Sequence, residues 1–147
     1  MILSASWVFP VSSPCILDGA VLVNKDEIQD FGTIGELVSR YPKEEVHEFS
    51  GKALLPGFVN SHSHLELTVL RGYLEDLSFW NWIQRLVKTK YEVLNHEEIK
   101  ISAELGACEA IRAGITTVGD AMEMGASLDA VLASGLRGVL YQEVFSP

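Results

Sequence analysis

The sequence predicts an α/β protein in which a β-rich N-terminal region precedes parallel β-α-β-α-β units. Three observations lead there. Residues 1–55 read as short strands separated by turns. After Leu55 the pattern changes to strands alternating with helices, which argues for parallel βαβ units in a barrel or an open sheet. The run ITTVGD at 115–120 is a buried, β-branched strand that starts directly after a helix-stopping glycine.

Taken in order, Ile2–Phe9, Ile16–Val23 and Glu27–Phe31 read as strands, with turns at Pro10–Pro14 and Asn24–Asp26. TIGELVSRY reads as one short helix. Thr33 is its N-cap, Glu36 stands at the capping-box position and Pro42 stops it. Val46–Phe49 and Ala53–Leu55 return to strand. Pro56-Gly57 is a turn leading into a strand at Phe58–His62. A long loop follows, then a helix over Phe79–Lys90 with Trp82, Leu86 and Phe79 on one face. A second helix covers His96–Ala113. Asn95 caps it with Glu98 three residues on, and Ile99, Ala103, Gly106 and Ala110, flanked by Ala107 and Ile111, form its apolar stripe. Gly114 sits where a C′ glycine belongs. After ITTVGD, SLDAVLAS is a short helix capped by Ser127 and ended at Gly135, and LRGVLYQEVF is the next strand.

Size and charge narrow the function classes. The chain has 147 residues with 48% apolar content, enough for a sizeable core. Eleven Lys and Arg against 20 Asp and Glu give a formal net charge of −9. Lys and Arg contacts to phosphate supply most nucleic-acid affinity, so a chain with no basic tract is not expected to bind nucleic acid. No apolar stretch reaches the ~18 residues of a membrane helix. The N-terminal MILSASWVFPVSSPCILDG lacks the basic region of a secretory signal, so a cytoplasmic location is expected. Cys15 and Cys108 have no C-x-x-C partner and are expected to be small buried thiols.

The chemistry gathers in LLPGFVNSHSHLEL at Leu54–Leu67. In a strand, residues i, i+2 and i+4 share a face. His62, His64 and, if the strand persists, Glu66 then project to one side. Two imidazoles so placed can hold one metal ion through neutral ring nitrogens; an isolated His-x-His can also be two polar loop residues. The pair lies at the C-terminal end of the first parallel strand, the end where ligands bind in α/β barrels and open sheets. Asp120 ends the next strand, and Gln142 and Glu143 lie on the third.

Other chemistries fail on spacing. His64-Leu65-Glu66 reads as H-x-E, but the P-C-x-x-C that accompanies it in zinc deaminases of the cytidine type is missing: Pro14-Cys15 lies upstream, with Asp18 where the second Cys is needed. There is no H-E-x-x-H, no G-x-S-x-G elbow and no G-x-x-x-x-G-K-[ST] phosphate loop.

LLPGFVNSHSHLELTVLRGYLEDLSFWNWI resembles the first-strand region of the amidohydrolase superfamily, in its cytosine-deaminase-like branch, which includes triazine chlorohydrolases and deaminases of methylthioadenosine and S-adenosylhomocysteine. The matching pieces are Pro56-Gly57, His62-x-His64, Leu70–Gly72, Glu75–Phe79, Trp82 and AGITTVGD at Ala113–Asp120. HLEL and YQEVFSP also resemble the aminodeoxyfutalosine deaminases of menaquinone synthesis. The resemblance covers nearly the whole chain and implies a (β/α)8 (TIM-type) barrel preceded by part of a small β-sandwich domain. Residues 1–55 would belong to the sandwich and residues 56–147 to the first three barrel strands. It implies His62 and His64 as ligands of one Zn²⁺ or Fe²⁺, a small-molecule substrate, and hydrolytic deamination of an aminated purine or nucleoside-type ring. A binuclear amidohydrolase and a non-catalytic amidohydrolase-like domain remain alternatives, and a homo-oligomer stays open. The family's other metal ligands and its proton-shuttling glutamate come from later strands. A (β/α)8 barrel takes ~200 residues or more, and 92 follow Leu55 (147 − 55). The chain is therefore expected to be the N-terminal part of a longer enzyme, inactive by itself.

The remaining polar and aromatic residues divide as follows. Glu66 is expected to hydrogen-bond substrate or a ligand's second nitrogen, or else to be a solvated loop carboxylate. Arg71 and Asp76 are expected to fix the long loop, and Trp80 and Trp82 to be core aromatics. Glu143 faces into or away from the site depending on register. His47 and His96 are expected at the surface. Asp120 either orients a loop or serves the site.

Overall fold

The computed structural model describes residues 1–144. The predicted last strand, LRGVLYQEVF, runs to Phe145, which lies outside the described residues, as do Ser146 and Pro147. The chain divides between Pro56 and Gly57 into two compact units.

The first unit is a four-stranded sheet of β1 (Ile2–Val8), β2 (Ile16–Asn24), β3 (Glu27–Thr33) and β4 (Val46–Leu54) in the order β3-β2-β1-β4. β1–β2 and β2–β3 are antiparallel, while β4 joins β1 in parallel. The two segments predicted separately at Val46–Phe49 and Ala53–Leu55 are one strand. Its register against β1 shifts between Ala5 and Trp7, and the Gly51 N–H in that irregular stretch donates to Ser6 Oγ at 2.8 Å. α1 (Ile34–Arg40) starts with the predicted capping box of Thr33 and Glu36. It buries Leu37 against Ile2, Ala20 and Leu22, and a second cluster holds Ala5, Val8 and Val21.

The second unit is a three-stranded, all-parallel sheet of β5 (Phe58–Ser63), β6 (Ile115–Met122) and β7 (Arg137–Gln142), in sequence order. Between β5 and β6 come a 3-10 turn at Leu65–Leu70, α2 (Phe79–Lys88), a π turn at Thr89–Val93 and α3 (His96–Arg112); α4 (Ala126–Ser134) joins β6 to β7. α3 opens on the predicted Asn95–Glu98 capping box and ends before Gly114, whose φ of +79° is open to glycine at little cost. Ile99, Ala103, Ala107 and Ala110 pack with Leu65, Val118, Ala130 and Val131 into one core. Each large aliphatic side chain there contributes about 1.5–3 kcal/mol on burial.

Several expectations are corrected. Ile111 is exposed, and Ser102 takes a buried place on α3, its hydroxyl accepting from the Val69 N–H at 2.9 Å. α2 ends at Lys88 rather than Lys90, because the chain widens into the π turn that buries Thr89 and Lys90. Trp80 is 72% exposed and no α2 residue is fully buried, so Trp80 is not a core aromatic. Ser127 is not the cap of α4: Gly125 is, and Ser127 is buried in the first turn. Both cysteines are free and exposed, Cys15 in the turn before β2 and Cys108 on the solvent side of α3, so neither is a buried thiol.

Candidate metal centre

The three strands of the second unit are parallel, so their C-terminal ends form one edge. β5 ends at Ser63. His64 takes φ −135°, ψ 77°, neither strand nor helix, and the chain then coils into the 3-10 turn. The strand does not persist past Ser63, so the condition under which Glu66 would share the face of His62 and His64 is not met. The two imidazoles do meet: their ring centroids are 5.0 Å apart with planes at 84°. Two rings bound to one tetrahedral ion at about 2.0–2.1 Å per nitrogen have centroids roughly 5 Å apart, the separation found here.

The tautomer of His64 follows from its partner. Nδ1 lies 3.0 Å from the Ala121 carbonyl oxygen, which can only accept. Nδ1 therefore carries a proton, and in the neutral ring the lone pair is on Nε2, where a ligand could bind. Glu143 Oε2 stands 3.8 Å from the same nitrogen, which settles that its side chain faces His64. Among the described residues no set of three or more His, Cys, Asp or Glu side chains is placed to share an ion, so the candidate centre consists of the two imidazoles.

Two buried carboxylates frame it. Asp120 is 0% exposed; its Oδ1 accepts from Ser63 Oγ at 2.7 Å and from the Leu65 N–H at 2.8 Å. Its Oδ2 is buried without a hydrogen-bond partner. β6 continues two residues past Asp120, so this residue stands inside the strand, in register with Ser63, and not at its end. Glu66 is 1% exposed. Its two oxygens accept from the backbone N–H groups of Glu123, Met124 and Ala126 at 3.0–3.2 Å. It is neither a solvated carboxylate nor aimed at an imidazole; it ties the 3-10 turn to the loop after β6.

A third cluster was not legible in the sequence. The π turn presents Lys90 and Tyr91 to Glu123: Lys90 Nζ lies 2.5 Å from Oε2, and the Tyr91 hydroxyl donates to Oε1. Burial would raise the Glu123 carboxyl, but these hydrogen bonds and the Lys90 charge outweigh it and hold the group below its ordinary value. The bond to Glu123, with burial, pushes Tyr91 up to about 12. The partners are 32 and 33 residues apart, so no local spacing announces them. Arg71 forks onto Glu109 of α3 and fixes the long loop as expected. Beside His64 opens a cleft of about 330 Å³ lined by Leu67, Leu70, Leu74, Trp82 and Leu86, with Thr68 and Arg71 as its polar members. His47 and His96 are exposed and stand outside this group.

Residues 53–146 match the Amidohydrolase family. A 5-methylthioadenosine/S-adenosylhomocysteine deaminase of Moorella thermoacetica is 32% identical over 136 residues, which is 92% of this chain and 32% of that protein. Among solved structures, aminofutalosine deaminase of Helicobacter pylori in complex with methylthio-coformycin superposes with a TM-score of 0.82 at 23% identity, covering 99% of this chain and 35% of that one. Atrazine chlorohydrolase of Arthrobacter aurescens complexed with zinc gives 0.79 at 20% identity, with 96% and 35% covered. The chain thus spans about a third of the length of these proteins.

Proposed function

The chain belongs to the amidohydrolase family, and from that premise we propose that the whole protein is a metal-dependent hydrolase of non-peptide carbon–nitrogen bonds. Its reaction is the deamination of an aminated purine or nucleoside-type ring. The parallel sheet of the second unit is read as the opening of a (β/α)8 barrel, and the first unit as part of a small β-sandwich domain. The observation that carries the reading is the His62–His64 pair at the C-terminal strand edge, with Nδ1 of His64 committed to a backbone carbonyl and Nε2 left to bind.

His62 and His64 would hold one divalent ion, Zn²⁺ or Fe²⁺. Such an ion supplies Lewis acidity and makes water a competent nucleophile near neutral pH. Ala121 fixes the His64 ring, and Asp120 holds the residues on either side of it through the Ser63 hydroxyl and the Leu65 N–H. Glu66 anchors the loop that carries Glu123. The open cleft beside His64 has mostly apolar walls and a half-buried Trp82, surfaces against which a flat heteroaromatic ring can pack. The methylthioadenosine deaminase relative supports an adenosine-type substrate class.

The test measures bound metal and ammonia release from 5-methylthioadenosine in the whole protein. His62→Ala and His64→Ala are expected to lose both together, whereas His47→Ala and His96→Ala keep both. Full metal occupancy in His64→Ala would overturn the ligand assignment.

A further inference from the structure

We propose that Asp120 is the positioning residue for His64, holding the imidazole in the Nδ1–H tautomer before any ligand binds. His64 is the residue before the 3-10 turn: its carbonyl accepts from the Leu67 N–H at 2.9 Å, but its φ of −135° and ψ of 77° belong to neither strand nor turn, so a further constraint is needed to fix the ring's place. Asp120 supplies that constraint from the neighbouring strand. One oxygen grips both residues that flank His64, the Ser63 hydroxyl and the Leu65 amide, at 2.7 and 2.8 Å. The next residue on β6, Ala121, offers the carbonyl that takes the Nδ1 proton. A single β6 dipeptide thus sets the position, the orientation and the tautomer of the ring. Asp120 is wholly buried and touches neither imidazole in a hydrogen bond, so it acts through His64. Glycine at 119 lets β6 come this close: a Cβ there would stand 2.7 Å from the Ser61 carbonyl oxygen. The consequence for metal affinity rests on the ligand assignment proposed above; the tautomer does not.

The experiment uses the whole protein stripped of metal, labelled with ¹⁵N-histidine, and reads the two ring nitrogens of His64 by NMR. Wild type is expected to show protonated Nδ1 and unprotonated Nε2. Asp120→Ala should give a mixture of both tautomers, and Asp120→Asn, which keeps an acceptor oxygen, should restore the wild-type pattern. Where Asp120→Ala does not fold, Ser63→Ala serves instead, since it removes one of the two bonds to the same oxygen and should also raise the Nε2–H form. An unchanged Nδ1–H tautomer in folded Asp120→Ala, or in Ser63→Ala where the first does not fold, overturns the proposal. So does a neutral wild-type ring that carries its single proton on Nε2. With metal restored, Asp120→Ala should weaken Zn²⁺ binding by about 10- to 100-fold, the scale for removing a group that orients a ligand. If His64→Ala still binds metal fully while Asp120→Ala still scrambles the tautomer, the ligand assignment fails and the positioning role stands.

Discussion

The two units bury their side chains differently. The first encloses apolar residues, with Ser4 as the polar side chain buried among its described residues, and keeps its charged pairs, such as Asp30–Arg40, at the surface. The second buries Glu66, Lys90 and Asp120. An ionisable group out of water costs several kcal/mol unless its atoms are paired. Glu66 is paired with backbone N–H groups and Lys90 with Glu123, while Asp120 is paired through Oδ1 and leaves Oδ2 without a partner; all three lie toward the C-terminal edge of the parallel sheet. The opposite edge, around Phe58, Gly114 and Leu136, buries no charged side chain. The edge that buries these charged groups is also the edge that carries the proposed metal centre.

The contrast can be broken most directly at Glu66. Glu66→Ala leaves three backbone N–H groups without their acceptor in a buried site, and we expect a loss of about 3–5 kcal/mol. Denaturant unfolding of the whole protein measures the loss, and faster hydrogen exchange at Glu123, Met124 and Ala126 would localise it. Gly119→Ala should cost about 1–3 kcal/mol, because its Cβ forces β5 and β6 apart at the site. In the first unit, Thr33→Ala removes a surface capping box and should cost about 1 kcal/mol. If Glu66→Ala proved no more damaging than Thr33→Ala, the buried carboxylate would not be the anchor its hydrogen bonds describe.

What could be read from the sequence follows the range of the interactions involved. Both capping boxes, Thr33–Glu36 and Asn95–Glu98, were legible because the partners of a capping box stand only three residues apart. The meeting of His62 and His64 followed from strand periodicity. The place of Glu66 hung on whether that periodicity ran past Ser63, and the chain leaves the strand there, which no local pattern in the sequence marked. Ser127 looked like a cap from its residue type, yet the left-handed glycine before it takes that place and the serine is buried. The Asp120 clamp, the Ala121 carbonyl and the Lys90–Tyr91–Glu123 cluster join segments more than 30 residues apart. Their pairing is created by tertiary packing, which no local pattern encodes.

The smallest expected effect compares two tyrosines. In the first unit the Tyr41 hydroxyl bonds Asp30, and in the second the Tyr91 hydroxyl bonds Glu123; both phenols are raised above the ordinary 10.0, Tyr91 to about 12. A phenol whose pKa is higher folded than unfolded contributes stability that is fully present below about pH 10. That contribution disappears as pH rises through about 12, because the unfolded chain gives up the proton first. Tyr91→Phe should therefore flatten the alkaline fall in stability between about pH 10 and 12. The change should be modest, since Tyr91 is 50% exposed and solvent screens the interaction. Removing the hydroxyl also takes one hydrogen bond from Glu123, so its carboxyl should move back up. The stability that Glu123 contributes above its unfolded value of 4.5 should then be lost at a higher pH on acidification. Stability against pH for wild type, Tyr91→Phe and Tyr41→Phe measures both limbs. An acid limb that moves in Tyr91→Phe but not in Tyr41→Phe would place the coupling at the strand edge that holds His64, and identical acid limbs in all three proteins would remove Tyr91 from the Lys90–Glu123 cluster.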